Sequence, residues 1–174
     1  MNRNDKDMKT VLVVEDYDDI RGMLKVLLES EHLRVLEAAS GLEALSVIKT
    51  ERPDVVLMDL GLPGFDGFET IRRMRKMDGF QNTPIIVLSG YTGQSMKESA
   101  FLAGSNYFMS KPVDFDALES LLKQILLDGN VYHPKGSRSA AQRAVNNNKK
   151  SVSLPETREV PLAFNYPQKP KALA

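Results

Sequence analysis

VLVVEDYDDIRGMLKVLL, residues 11–28, contains a change of period. Val11-Leu12-Val13-Val14 is an unbroken apolar run, as a strand buried on both faces should be. From Ile20 the apolar residues recur as Ile20, Met23, Leu24, Leu27 and Leu28, the i, i+3, i+4, i+7, i+8 stripe of a helix packed on one side. Between the two lie Glu15, Asp16, Asp18 and Asp19. Asp18 or Asp19 is expected to accept hydrogen bonds from the orphan N–H groups at the helix start.

The same strand-then-helix alternation continues to about residue 130. A second strand is expected around Val35-Leu36. Ser40-Gly41-Leu42-Glu43 has the capping-box form and opens a helix that Pro53 stops. Val55-Val56-Leu57-Met58 is a third strand, and Asp66-Gly67-Phe68-Glu69 a second cap-like pattern with Phe68, Ile71 and Met74 on one face. Ile85-Ile86-Val87-Leu88 is a fourth strand. A weaker helix is expected from about Ser95 to Ala103, stopped by Gly104. Tyr107-Phe108-Met109 is a short fifth strand, followed by a helix striped with Leu118, Leu121, Leu122, Ile125 and Leu126. Five βα units in a row imply an α/β fold, a doubly wound parallel sheet with helices on both faces.

Composition limits the chemistry. Of 174 residues none is Cys, which excludes disulfides, thiolate zinc sites and a cysteine nucleophile. The 2 His, His32 and His133, exclude a multi-histidine metal cluster, and His32 reads as a surface loop residue after the first helix. No apolar run approaches the roughly 20 residues of a bilayer span, and the polar start MNRNDKDMKT is not a secretory signal, so a cytoplasmic protein is expected. The net charge of zero conceals two halves: residues 1–130 carry 15 Lys+Arg against 21 Asp+Glu, a net of −6, and residues 131–174 carry 8 against 2, a net of +6. Five Pro and the run Asn146-Asn147-Asn148-Lys149-Lys150 fall in that second half. The expected division is a flexible start over 1–8, a globular domain over 9–129 and a basic, disordered tail over 130–174.

In open parallel sheets, ligands bind beyond the carboxyl ends of the strands. Those ends carry Glu15-Asp16, Asp59, Ser89 and Ser110-Lys111-Pro112. Three converging carboxylates repel, by about 4 kcal/mol per pair at ~4 Å and an effective dielectric near 20. A divalent cation relieves this, and a small all-oxygen set suits Mg²⁺. Lys111 offers a point charge, Ser89 a hydroxyl, and Asp59 a candidate nucleophile for a phosphoryl group.

With VLVVEDYDDIR, VVLMDLGLPGFDG, PIIVLSG and YFMSKPVD in this order and spacing, the chain resembles the response-regulator receiver domains of two-component signalling over about residues 8–129. The resemblance implies the flavodoxin-like strand order 2-1-3-4-5 and a switch phosphorylated by a histidine kinase or phosphotransfer protein. It implies that Asp59 is the phosphoacceptor. Asp16 would be a direct Mg²⁺ ligand, Glu15 a ligand through water, and Gly61 the donor of a backbone carbonyl. Ser89 and Lys111 would contact the phosphate, Gly90 would leave it room and present a backbone N–H, and Phe108 would be the aromatic switch. A cis Lys111-Pro112 bond is implied as well. Tyr107 departs from the pattern, since relatives more often have a smaller residue there. A downstream protein would dock on the face carrying the fourth helix, fifth strand and fifth helix, and the chain would be a monomer or a phosphorylation-dependent dimer. Two other readings share parts of this site. An Mg²⁺-dependent phosphatase with an aspartyl nucleophile usually has a second Asp where Gly61 stands, and a phosphorylation-independent docking module would not need the acidic set. No helix-turn-helix pattern follows Gly129, so sequence-specific nucleic-acid binding is not expected.

Overall fold

The computed structural model describes residues 8–64, 66–127, 129 and 131–134. The other residues of the predicted start and tail lie outside it. Five strands alternate with five helices: β1 Thr10–Val14, α1 Asp18–Ser30, β2 Arg34–Ala38, α2 Gly41–Thr50, β3 Val55–Asp59, α3 Gly67–Lys76, β4 Ile85–Ser89, α4 Gln94–Ala103, β5 Tyr107–Ser110 and α5 Phe115–Leu126. All pairings are parallel and the sheet order is β2-β1-β3-β4-β5, as expected.

The unbroken apolar runs became the central strands because both of their faces are covered. Leu12, Val14, Val56, Met58, Ile85 and Val87 face one core layer, which α2 and α3 close with Ile48, Ile71 and Met74. Val11, Val13, Val55, Leu57, Ile86 and Leu88 face the other, closed by Leu24, Leu28, Leu118, Leu122 and Ile125 of α1 and α5. β2 is an edge strand and only half-apolar. Its Arg34 pairs with Glu51 at 3.0 Å and its Glu37 with Lys25 at 2.5 Å.

Helix ends follow local chemistry. The Ser40 hydroxyl accepts the Glu43 N–H at 3.2 Å, and the Glu43 carboxylate reaches back to the Ala39 N–H at 2.7 Å. Asp66 accepts the Glu69 N–H at 2.7 Å, and Asp114 caps α5 through the Ala117 N–H at 3.0 Å. Gly104 ends α4 in the left-handed region at φ 116. The expected cap on α1 is a correction. Tyr17 is the cap residue and no side chain bonds there, while Asp18 and Asp19 lie inside the first turn. Asp18 is drawn instead to Arg21 at 2.5 Å, and both acids still oppose the positive end of the helix dipole. His32 is exposed in the turn after α1, with φ 61.

Candidate functional site

Parallel pairing brings four strand ends to one edge of the sheet. Val14 pairs with Met58, Asp59 with Leu88, and Ser89 with Ser110. Glu15 and Asp16 therefore emerge beside Asp59, and Lys111 follows beside Ser89, whose carbonyl accepts the Lys111 N–H at 2.7 Å. The Lys111-Pro112 bond is cis.

The four charged groups meet. One carboxylate oxygen each from Glu15, Asp16 and Asp59 lies within 4.8 Å of the others. Lys111 Nζ stands 2.5 Å from Glu15 Oε2 and 3.2 Å from Asp59 Oδ2. Glu15 and Asp59 are buried at 1% and 6% exposure, and Asp16 is half-buried. The other Asp59 oxygen, Oδ1, accepts the Gly61 N–H at 2.8 Å, so both ends of this carboxylate are oriented. Burial pushes the Glu15 carboxyl above its ordinary value and the Asp59 charge pushes the same way. The Lys111 ammonium and the Tyr17 N–H only partly offset them. Burial alone would lower Lys111, but Asp59 and Glu15 outweigh it and the ammonium is held more firmly than usual.

Ionised, three carboxylates and one ammonium leave a net charge of −2, which one divalent cation neutralises. Hard oxygen donors in a small cluster fit Mg²⁺.

Glu15 was expected to serve a metal through water. Its shortest contact here is Lys111, 96 residues away. The buried Ser89 Oγ accepts the Tyr91 N–H at 3.1 Å, so the hydroxyl already satisfies a strand-end amide. Gly90 is exposed, and a Cβ there would meet no atom within 4 Å, consistent with open room beside Ser89. A Cβ on Gly61 would lie 3.4 Å from both Asp59 oxygens. Phe108 is half-buried against the α2–α3 core layer, whereas Tyr107 belongs to the layer of α1 and α5.

Two supporting residues escaped the sequence reading. Arg21 donates to the Glu15 carbonyl at 2.8 Å and so fixes the acidic loop. Gly67 opens α3 so close to β3 that a Cβ would lie 2.4 Å from the Asp59 carbonyl oxygen. The signal for Gly67 was its place in VVLMDLGLPGFDG, after the Asp66 cap, which gave no hint of its contact with Asp59.

Comparison with known proteins decides the family. The response regulator receiver domain family matches residues 11–123. The chain belongs to this family. As a response regulator receiver it is a signalling module and not a turnover enzyme. It is 34% identical over 116 residues to sporulation initiation phosphotransferase F of Bacillus subtilis, covering 67% of this chain and 92% of that protein. The structure of chemotaxis protein CheY4 of Vibrio cholerae superposes with a TM-score of 0.65 at 30% identity, covering 68% of this chain and 98% of that one. The receiver domain of sensor histidine kinase PA1611 from Pseudomonas aeruginosa gives a TM-score of 0.63 at 30% identity over 67% of this chain and 96% of that one, and it holds a magnesium ion in its active site cleft. The acidic cluster of this receiver thus resembles a magnesium-binding one. Among its described residues no helix is long and apolar enough to cross a membrane.

Proposed function

We propose that this receiver takes a phosphoryl group onto Asp59 from a phosphohistidine of a histidine kinase or phosphotransfer protein. An Asp59 oxygen attacks phosphorus, the P–N bond breaks, and the imidazole leaves with its electron pair and takes up a proton. An acyl phosphate remains on Asp59. The observation that carries this reading is the meeting of Glu15, Asp16 and Asp59 with Lys111 at the carboxyl ends of β1, β3 and β5.

Asp16, Asp59 and the Gly61 carbonyl would hold Mg²⁺, with Glu15 acting through water. When bound, the ion supplies positive charge opposite the phosphoryl oxygens. Lys111 adds a second cation at the same place, already aimed at Asp59. Ser89 contributes its hydroxyl and Gly90 its N–H. Drawing Ser89 toward the phosphate breaks its bond with the Tyr91 amide. The change passes to Phe108 and biases the face of α4, β5 and α5, where a downstream protein docks. The protein acts in the cytoplasm, as a monomer or a phosphorylation-dependent dimer, with the receiver over 9–129 and a basic tail over 130–174.

The test is labelling with a small phosphodonor across a Mg²⁺ titration, read by phosphate-affinity electrophoresis. Wild type should show a Mg²⁺-dependent shifted band that Asp59→Asn lacks while remaining folded. A band of equal intensity in Asp59→Asn would refute the assignment.

A further inference from the structure

The chain does not leave the domain at the end of α5. Gly129, at φ 64 in the left-handed region, follows α5, and the next described residues pack on the N-terminal end of β5. Val131 rests on the α1–α5 core layer, and Pro134 is buried. The Tyr132 ring meets Phe101 of α4 edge-on at 6.4 Å and Tyr107 of β5 at 6.2 Å.

Both backbone groups of Tyr132 are recognised by side chains. Its N–H donates to the Tyr107 hydroxyl at 2.6 Å, and its carbonyl accepts from Asn106 Nδ2 at 2.9 Å. The orientation of that amide is fixed from the far side. Asn106 Oδ1 accepts both the Ile85 N–H and Arg75 Nη2 at 2.9 Å each. Arg75 itself is half-buried, and its other donors hold the carbonyls of Phe80, Thr83 and Gly104. With its oxygen so occupied, Asn106 can only turn its NH₂ outward, where it meets the Tyr132 carbonyl and lies 3.4 Å from His133 Nδ1. An amide that uses its full donor and acceptor capacity is a specified contact, unlike an incidental one.

The geometry points to an intramolecular docking site: Phe101, Asn106 and Tyr107 form a receptor for the chain's own Val131–Pro134, a strap across the N-terminal end of the open β5 edge. The strap holds the described residues of the 130–174 segment at the end of the four-residue strand opposite Lys111 and roughly 13 Å from it. A partner using this end of the α4–β5–α5 face must displace it. The site is independent of the phosphoacceptor reading, since none of its residues belongs to that pocket. It also gives Tyr107, the departure from the family pattern, a ligand: a smaller side chain there would not carry an acceptor out to the Tyr132 amide.

The test is residue-resolved amide exchange by NMR on the full chain. Tyr107→Phe keeps the ring and removes the acceptor, and should speed exchange of the Tyr132 amide by about tenfold, the worth of one such bond. Asn106→Asp keeps the acceptor for Ile85 and gives Arg75 a charged partner, but places an oxygen against the Tyr132 carbonyl. Its thermal midpoint should equal or exceed that of wild type while Tyr132 exchange rises. In Asn106→Asp the Leu12 amide of β1, which opens with the whole fold, should exchange no faster than in wild type, so the rise at Tyr132 is local. Unchanged Tyr132 exchange in Tyr107→Phe, or a rise at Tyr132 in Asn106→Asp matched by an equal rise at Leu12, would overturn the strap.

Discussion

Lys111→Met isolates the electrostatics of the pocket. The replacement keeps an unbranched stem and deletes the ammonium. That ammonium lies 2.5 Å from Glu15 and 3.2 Å from Asp59, with the lysine side chain 9% exposed and the two carboxylates 1% and 8%. A surface ion pair would be worth under about 1 kcal/mol. Removing one partner of a pair this buried costs about 3–5 kcal/mol, because the remaining carboxylates stay desolvated and repel each other. At about 4 °C per kcal/mol, the thermal midpoint without metal should fall by on the order of 10–20 °C. The loss should also depend on pH. The Glu15 carboxyl is already raised above 4.5, and the variant removes both influences by which Lys111 lowers it. The folded variant therefore keeps a proton that the unfolded chain releases above ~4.5, so stability falls as pH rises from there to the raised folded value and levels off beyond it. Urea unfolding of wild type and variant in chelator at pH 5 and pH 8 measures this. The deficit should be larger at pH 8. A deficit under 1 kcal/mol at both, or one that shrinks as pH rises, would show that Lys111 does not compensate these acids.

Adding Mg²⁺ to wild type should raise stability by ~2.7 kcal/mol once the ion is at 100 times its dissociation constant. Asp16→Asn should lose most of that gain, and calorimetric scans with and without the ion show whether it does. Gly67→Ala forces a methyl to within 2.4 Å of the Asp59 carbonyl oxygen, so a loss of about 1–3 kcal/mol and weaker phosphodonor labelling are expected. Wild-type stability in that variant would mean α3 can retreat freely. Arg75→Lys retains charge but not the planar fork that holds four acceptors, and Arg75 is so desolvated that its pKa is pushed down to about 10. Denaturant midpoints should therefore place Arg75→Lys closer to Arg75→Met than to wild type.

Most of the architecture was readable because the signals were long. Val11–Val14, Val55–Met58 and Ile85–Leu88 are uninterrupted apolar runs, and α1 and α5 carry full helical stripes. β2 was faint because an edge strand needs only one covered face, which leaves Arg34 and Glu37 in the pattern. Asp16, Asp59, Ser89 and Lys111 were legible as polar residues at strand ends. What spacing could not convey was distance: nothing along 96 residues says that Glu15 would lie closer to Lys111 than Asp59 does. The α1 cap was misread because Asp18 had a competing partner one turn away in Arg21. The Arg75–Asn106–Tyr132 linkage left no periodic trace at all, since three isolated polar and aromatic side chains acquire meaning only once α3, β5 and the chain after α5 are brought together. Tyr107 stood out only as too large for its place, with no hint of what it would bind.

The guarded flank of β2 bears on how this protein tolerates crowding. A bare strand edge invites a neighbour to extend the sheet, and such growth has no natural stop. Here the edge strand carries charge, in the Arg34–Glu51 and Lys25–Glu37 couples, and charged side chains on an edge disfavour pairing with a newcomer. At this flank copies at high local density are thus steered away from strand-to-strand accretion, which leaves the β5 margin, with the Val131–Pro134 strap at its N-terminal end, as the side on which such growth would have to begin.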